Sequence, residues 1–224
     1  MGEYYDWINI DKKQYICPND FDLGNKCLES SWKGNPLLRA LRELLSDEWK
    51  DCRIIFMGDD KEVSADVTNS ALRYIYEQTV QYGDPGMAYD MQIDTYRNLS
   101  GLFKGTEENV LREIRFYLND LENHDPDALN EYGIDIDDPF NGLFLREGKD
   151  FKYTLNHTKK LGYSPEKVLV TMRHGEEFPN MDPLPLLLGH GFFFEDSPWL
   201  GDIIGVSDEL PEGYTEITEF HFDY

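Results

Sequence analysis

The chain has 224 residues, 40% hydrophobic and 14% aromatic, and carries 44 acidic against 21 basic side chains for a formal net charge of −23. This length and aromatic content predict a buried core and exclude a disordered chain. The negative field excludes direct binding to nucleic acid or to an anionic membrane surface and favours encounter with basic surfaces.

The charge is uneven: −4 over residues 1–75, −11 over 76–150 and −8 over 151–224. The opening Met-Gly-Glu-Tyr-Tyr-Asp has neither the basic nor the apolar stretch of a secretory signal, and Asp6 stands where a myristoylation motif places Ser or Thr. No apolar run approaches the ~18 residues of a membrane helix, so a cytoplasmic location without a membrane partner is expected. Cys17, Cys27 and Cys52 are odd in number, form no C-x-x-C pair and have no histidine within 70 residues. Buried, reduced thiols are expected rather than a disulfide or a zinc site.

Residues 4–16 alternate around Asp11-Lys12-Lys13 and predict strand, turn and strand. Residues 17–34, with Pro18, Asn19, Asp20, Gly24 and Gly34, read as loop. Asn35-Pro36 predicts a helix start, since Asn caps and Pro suits the first helical position. Leu37, Leu38, Leu41, Leu44 and Leu45 follow at helical spacing. Arg53 to Gly58 is a short apolar run that predicts a buried strand. Ser64 to Tyr82 predicts a helix through Val67, Leu72, Ile75, Tyr76 and Val80, ended by the turn Gly83-Asp84-Pro85-Gly86. Thr106 is the expected cap of a further helix through Val110, Leu111, Ile114, Tyr117, Leu118 and Leu121, closed by Asp125-Pro126. Glu107 and Glu108 sit in its first turn, where negative charge suits the helix dipole. Val168 to Met172 and Ile203 to Val206 predict strands, while the prolines of Pro183 to Leu188 spoil a helix pattern there. Thr215 to Phe222 alternates strictly and predicts one half-exposed edge strand with acidic guards.

Two parts of the chain match in order and spacing. Asn9-Ile10-Asp11-Lys12-Lys13 precedes Trp49, Ile54, Ile55 and Asp59; Asn156-His157-Thr158-Lys159-Lys160 precedes Trp199, Ile203, Ile204 and Asp208. The Asn-to-Trp spacing is 40 residues in the first and 43 in the second. The expected fold is therefore α+β, with two pseudo-repeated β-α-β-type units, 1–63 and 151–224, flanking a mainly helical acidic insert, 64–150, all in one compact domain. Trp49 and Trp199 read as core anchors.

Candidate chemistry is sparse. The acidic residues Asp120, Glu122, Asp125, Asp127, Glu131, Asp135, Asp137 and Asp138 read either as a solvated acidic loop or, as expected here, as a contact surface for a basic partner. They do not spell a calcium loop: counting from Asn123, position 6 is Ala128 and position 12 is Ile134, where an EF-hand needs Gly and Glu. Asp51, Asp59, Asp60 and Glu62, or Asp202, Asp208 and Glu209, could pose as paired acids, but their spacing specifies no chemistry and an acid after a strand most often caps a turn. No cofactor and no metal are expected, and there is no phosphate-cradling Gly loop, G-x-S-x-G or H-E-x-x-H.

Arg173-His174-Gly175-Glu176 resembles the signature of the histidine phosphatase family, whose His takes a phosphoryl group and whose Arg holds the phosphate. That family places the motif at the start of its domain, with a second catalytic His far downstream; here 50 residues follow, and His190 lies only 16 away. Asn9-x-x-Lys12-Lys13-x-Tyr15 and Trp49 to Gly58-Asp59 resemble an uncharacterised group of acidic bacterial proteins with N-x-x-K-K-x-Y and W-x-G-D-x-I…G-D signatures. Asp51-Cys52 departs from the Gly-Asp of that pattern, and the resemblance implies no reaction.

The expected function is non-enzymatic: an acidic protein that binds and inhibits a basic, nucleic-acid-binding partner. An immunity protein, or a phage-type inhibitor that mimics nucleic acid, has this form. The alternatives are a hydrolase or phosphatase with a site at His174 and His190 between the repeats, and a small-molecule-sensing regulatory domain.

Overall fold

Asn9 sets the first turn of the chain. In the computed structural model, which describes residues 3–60, 62–119, 140–190 and 197–223, strands β1 (Tyr5–Asn9) and β2 (Gln14–Ile16) pair antiparallel. The Asn9 side-chain oxygen accepts from the backbone N–H groups of Asp11 (3.1 Å) and Lys12 (3.0 Å). Lys13 closes the turn in the left-handed region, at φ 53°. Helix α1 (Pro36–Ser46) begins as the sequence predicts, with Asn35 Oδ1 accepting from the Leu38 N–H at 2.8 Å and Pro36 in the first turn. Its leucines are buried, and it leads to β3 (Ile54–Gly58), which pairs antiparallel along the whole of β1.

The middle of the chain adds α2 (Ser70–Tyr82), α3 (Ala88–Thr95), β4 (Arg97–Asn98) and α4 (Glu107–Asn119). Then come β5 (Tyr153–Asn156), β6 (Leu161–Tyr163), β7 (Leu169–Met172) and β8 (Glu176–Phe178). The short helix α5 (Leu184–Leu188) runs straight into β9 (Gly189–His190), and β10 (Ile204–Ser207), β11 (Thr215–Glu216) and β12 (Glu219–Phe222) follow. The architecture is α+β. Its strands form three mixed sheets, in the orders β4-β2-β1-β3-β9, β10-β5-β6-β11 and β12-β7-β8.

Every residue of β1 and β3 is buried because the first sheet is covered on both faces. Side chains alternate across a strand, so Tyr5 and Trp7 enter the main core with α1, α5 and the other sheets. Asp6, Ile8 and Ile10 point the other way, with Ile8 and Ile10 joining a second core that holds residues of α2 and α3. Trp49 and Trp199 are core residues, as the sequence suggests.

Four expectations need correction. Helix α2 starts at Ser70 rather than Ser64, because the Asn69 side chain takes the N–H groups of Ala71 and Leu72 and fixes the end there. Thr106 precedes α4, but its hydroxyl donates to the carbonyls of Phe103 and Ser100. Residues 184–188 are helical despite their prolines, which fall in the first turn where their missing N–H is not needed. Thr215 to Phe222 is two strands, not one: β11 runs parallel to β6, and after Ile217-Thr218 the chain moves to another sheet, where β12 runs parallel to β7. The expected end of α4 at Asp125-Pro126 lies outside the described residues.

The segments around Asn9 and Asn156 share local geometry. Asn156 Oδ1 accepts from the Lys159 N–H at 2.9 Å, and Lys160 stands at φ 54° as Lys13 stands at 53°. Asn9 is opposite Ile54 in β3, and Asn156 is opposite Ile204 in β10. Lys12 Nζ donates to the carbonyl before Trp49, and Lys159 Nζ to the carbonyl before Trp199. Arg53 and Ile203, which precede β3 and β10, bridge each other antiparallel. The two regions are also joined by a fully buried ion pair, Arg42 of α1 with Asp182, whose Oδ1 accepts from the Tyr163 hydroxyl at 2.7 Å.

Candidate functional site

The eight acidic residues expected to meet a partner, Asp120, Glu122, Asp125, Asp127, Glu131, Asp135, Asp137 and Asp138, lie outside the described residues. Arg173 and His174 are exposed on a 3-10 turn between β7 and β8, and Glu176 is exposed at the start of β8. His190 is buried on β9, beside Met57 in the first sheet. The two histidines thus sit on different sheets, one in solvent and one under it.

The acids that follow β3 do converge. Asp59, Asp60 and Glu62 line a cavity of about 160 Å3, with Met87, Ala88 and Tyr89 at the start of α3 completing the wall. Asp59 is held in place, its Oδ1 accepting the Tyr4 N–H at 2.8 Å. Three carboxylates beside an aromatic ring and a thioether suit a cationic, partly aliphatic group such as a Lys or Arg side chain. The equivalent acids of the last region do not make such a cavity wall: Asp202 is buried, and Asp208 and Glu209 are exposed. Asp202 accepts from Asn156 Nδ2 and pairs with Lys159 Nζ, both at 2.7 Å. Asp51 closes a turn at φ 60°.

A polar group that the sequence reading passed over lies beneath this cavity wall. Asp6, fully buried on β1, accepts from Gln92 Nε2 of α3 at 3.3 Å. Burial pushes its carboxyl up to about 6, against the pull of hydrogen bonds from Cys17, Gln92 and Tyr89 and with a further push from Asp20. Burial likewise pushes the Cys17 thiol well above its ordinary range, and the carboxylates of Asp6 and Asp20 add to it. Such a thiol stays protonated and is a poor nucleophile. Cys27, also raised by burial and by Glu3, is equally inert, and all three cysteines are unbonded thiols.

The outer face of the third sheet carries a nucleophile-like line. His221 Nδ1 lies 2.9 Å from Thr171 Oγ1, and His221 Nε2 lies 2.9 Å from Asp223 Oδ1. The spacing fits a hydroxyl, a base and an orienting acid. Its surroundings oppose that chemistry. The Thr171 hydroxyl lies 3.4 Å from both the Phe220 carbonyl and Glu219 Oε1, so the oxygens at hand would repel a developing oxyanion. Among the described residues, no group of three or more His, Cys, Asp or Glu is arranged to hold a metal ion, and no helix is long and apolar enough to cross a membrane.

No protein-family model matches this chain, and neither the curated proteins nor the solved structures contain one detectably similar to it. The likeness to the acidic bacterial group therefore rests on the residues that carry it.

Proposed function

We propose that this is an acidic interaction protein that binds a basic, nucleic-acid-binding protein and inhibits it by occupying the surface meant for phosphates. The observation that carries the reading is charge stoichiometry. With 44 acidic and 21 basic side chains, even one-to-one pairing leaves 23 carboxylates without a base in the chain. A basic partner supplies the missing cations, and the cavity of Asp59, Asp60, Glu62 and Tyr89 gives one of them a shaped seat. Immunity proteins and nucleic-acid mimics of nucleases or defence complexes work in this way. The protein's own chemistry is then recognition, and no bond need be made or broken.

The test is affinity capture from the native host, followed by titration of the captured complex with salt and with DNA. A basic partner is expected, with affinity falling steeply as ionic strength rises from about 0.05 to 0.3 M, since exposed charges are screened over that range. Double-stranded DNA should compete for the partner, and Asp59→Lys with Asp60→Lys should weaken the complex at least tenfold. A complex indifferent to both salt and DNA sinks the proposal.

A further inference from the structure

Among the described residues, Asp6 Oδ1 and Gln92 Oε1 are buried oxygens with no hydrogen-bond partner. They belong to side chains that already touch, through Gln92 Nε2 and Asp6 Oδ2. An ionised carboxylate has no hydrogen to offer, so Gln92 Oε1 is left without a donor beside it, a costly state in a dry interior. One proton on Asp6 changes this. The carboxyl becomes a donor as well as an acceptor, able to pair with the primary amide through both of its groups.

Gln92 is a residue of α3, and Tyr89, on the same helix, also bonds Asp6 while forming part of the cavity wall with Asp59, Asp60 and Glu62. The helix is short, and its buried residues are Ala88, Met91 and Gln92. It is held by Ala88 and Met91 in the second core and by the polar contacts of Gln92 and Tyr89 with Asp6. We propose that α3 is a proton-controlled latch, closed on the first sheet while Asp6 keeps its proton and loosened when Asp6 ionises, which opens the acidic cavity at the helix's first turn.

The groups facing Asp6 pull both ways. Cys17 and Asp20 approach from the β2 side, the Asp20 charge opposing ionisation of Asp6 and the Cys17 thiol donating to its carboxylate. Tyr89 and Gln92 come from α3. On β3 the neighbour is Met57, with His190 of β9 one strand further along the same row. The carboxyl is raised from 3.8 to about 6 in the closed state, so the stability of closure is full below the ordinary carboxylate range. It is lost progressively as pH rises through 6 and is level above about 7.

Hydrogen exchange, expressed as protection factors, tests this on the intact chain at pH 5, 6, 7 and 8, with α2 amides as the internal reference. For the wild type, α3 protection is expected to fall about tenfold between pH 5 and 7, given the shift from 3.8 to about 6. It should then stay level, while the α2 amides change less. Asp6→Asn, which keeps a donor at every pH, should remove this step and hold α3 protected at pH 7. An α3 profile that is flat, or that runs parallel to α2 in the wild type, overturns the latch whether or not the variant folds. A step of the same size in Asp6→Asn overturns it as well.

Discussion

The hairpin of β1 and β2 and the hairpin of β5 and β6 turn on the same residue type, yet each completes the turn with different chemistry. In the later hairpin Asn156 uses both ends of its amide: Oδ1 takes a backbone N–H and Nδ2 donates to the buried Asp202, which also pairs with Lys159. In the earlier one Cys52 stands two residues before β3, as Asp202 stands two residues before β10. There, Asn9 Nδ2 is buried and, among the described residues, has no hydrogen-bond partner. The backbone of the motif tolerates either a carboxylate or a thiol at this place. What the carboxylate adds is satisfaction of a donor that would otherwise be stranded, at a cost in desolvation that Lys159 offsets.

The sharpest way to break the comparison is to cut the connection between the two regions. Arg42→Ala leaves Asp182 buried without its cation, and it should lower unfolding stability by about 3–5 kcal/mol in urea titration. A loss below about 1 kcal/mol would show that other contacts carry the join. Next in size, Asp202→Ala removes the acceptor of Asn156 and Lys159 and should cost about 1–3 kcal/mol. The complementary change, Cys52→Asp, gives Asn9 Nδ2 the acceptor it lacks, and a gain of about 1 kcal/mol is expected. A loss there would mean that the thiol's surroundings cannot admit a carboxylate. The smallest effects come from the left-handed lysines. Lys13→Gly and Lys160→Gly should each stabilise by about 0.5–1 kcal/mol, because Gly adopts positive φ without steric cost. Equal gains sharpen the likeness of the two turns, and unequal gains separate them.

Local chemistry made some elements legible before any coordinates. Asn35-Pro36 states a helix start in two residues, and Ile54 to Met57 states a buried strand in four. Helix α3 was invisible because Ala88, Met91 and Gln92 make no apolar stripe, and one of its buried positions is a polar amide. The start of α2 was set too early because Val67 fits the helical period, although Asn69 is the residue that caps it. At the candidate site, Asp59, Asp60 and Glu62 were readable as a set of acids, but not as a cavity, since Tyr89 reaches them only through the fold. Asp6 was hidden more thoroughly. Its significance depends on Gln92, 86 residues away, and a lone Asp near the start of a chain resembles any surface residue. His174 and His190, the alternative site offered by the sequence, fall on different sheets through the same tertiary placement that unites Asp6 with Gln92.

Strand β9 carries a consequence for how the protein is made. Phe56 of β3 pairs with Gly189, and Met57 with His190. On the ribosome, at roughly 5–20 residues per second, the interval between these partners is on the order of ten seconds. Throughout that interval one side of β3 offers unpaired backbone groups and a run of Ile, Ile, Phe and Met, the kind of edge that recruits other strands. Slowing translation between residues 60 and 190 should therefore lower the soluble yield, with the native protein, once complete, no less stable than before.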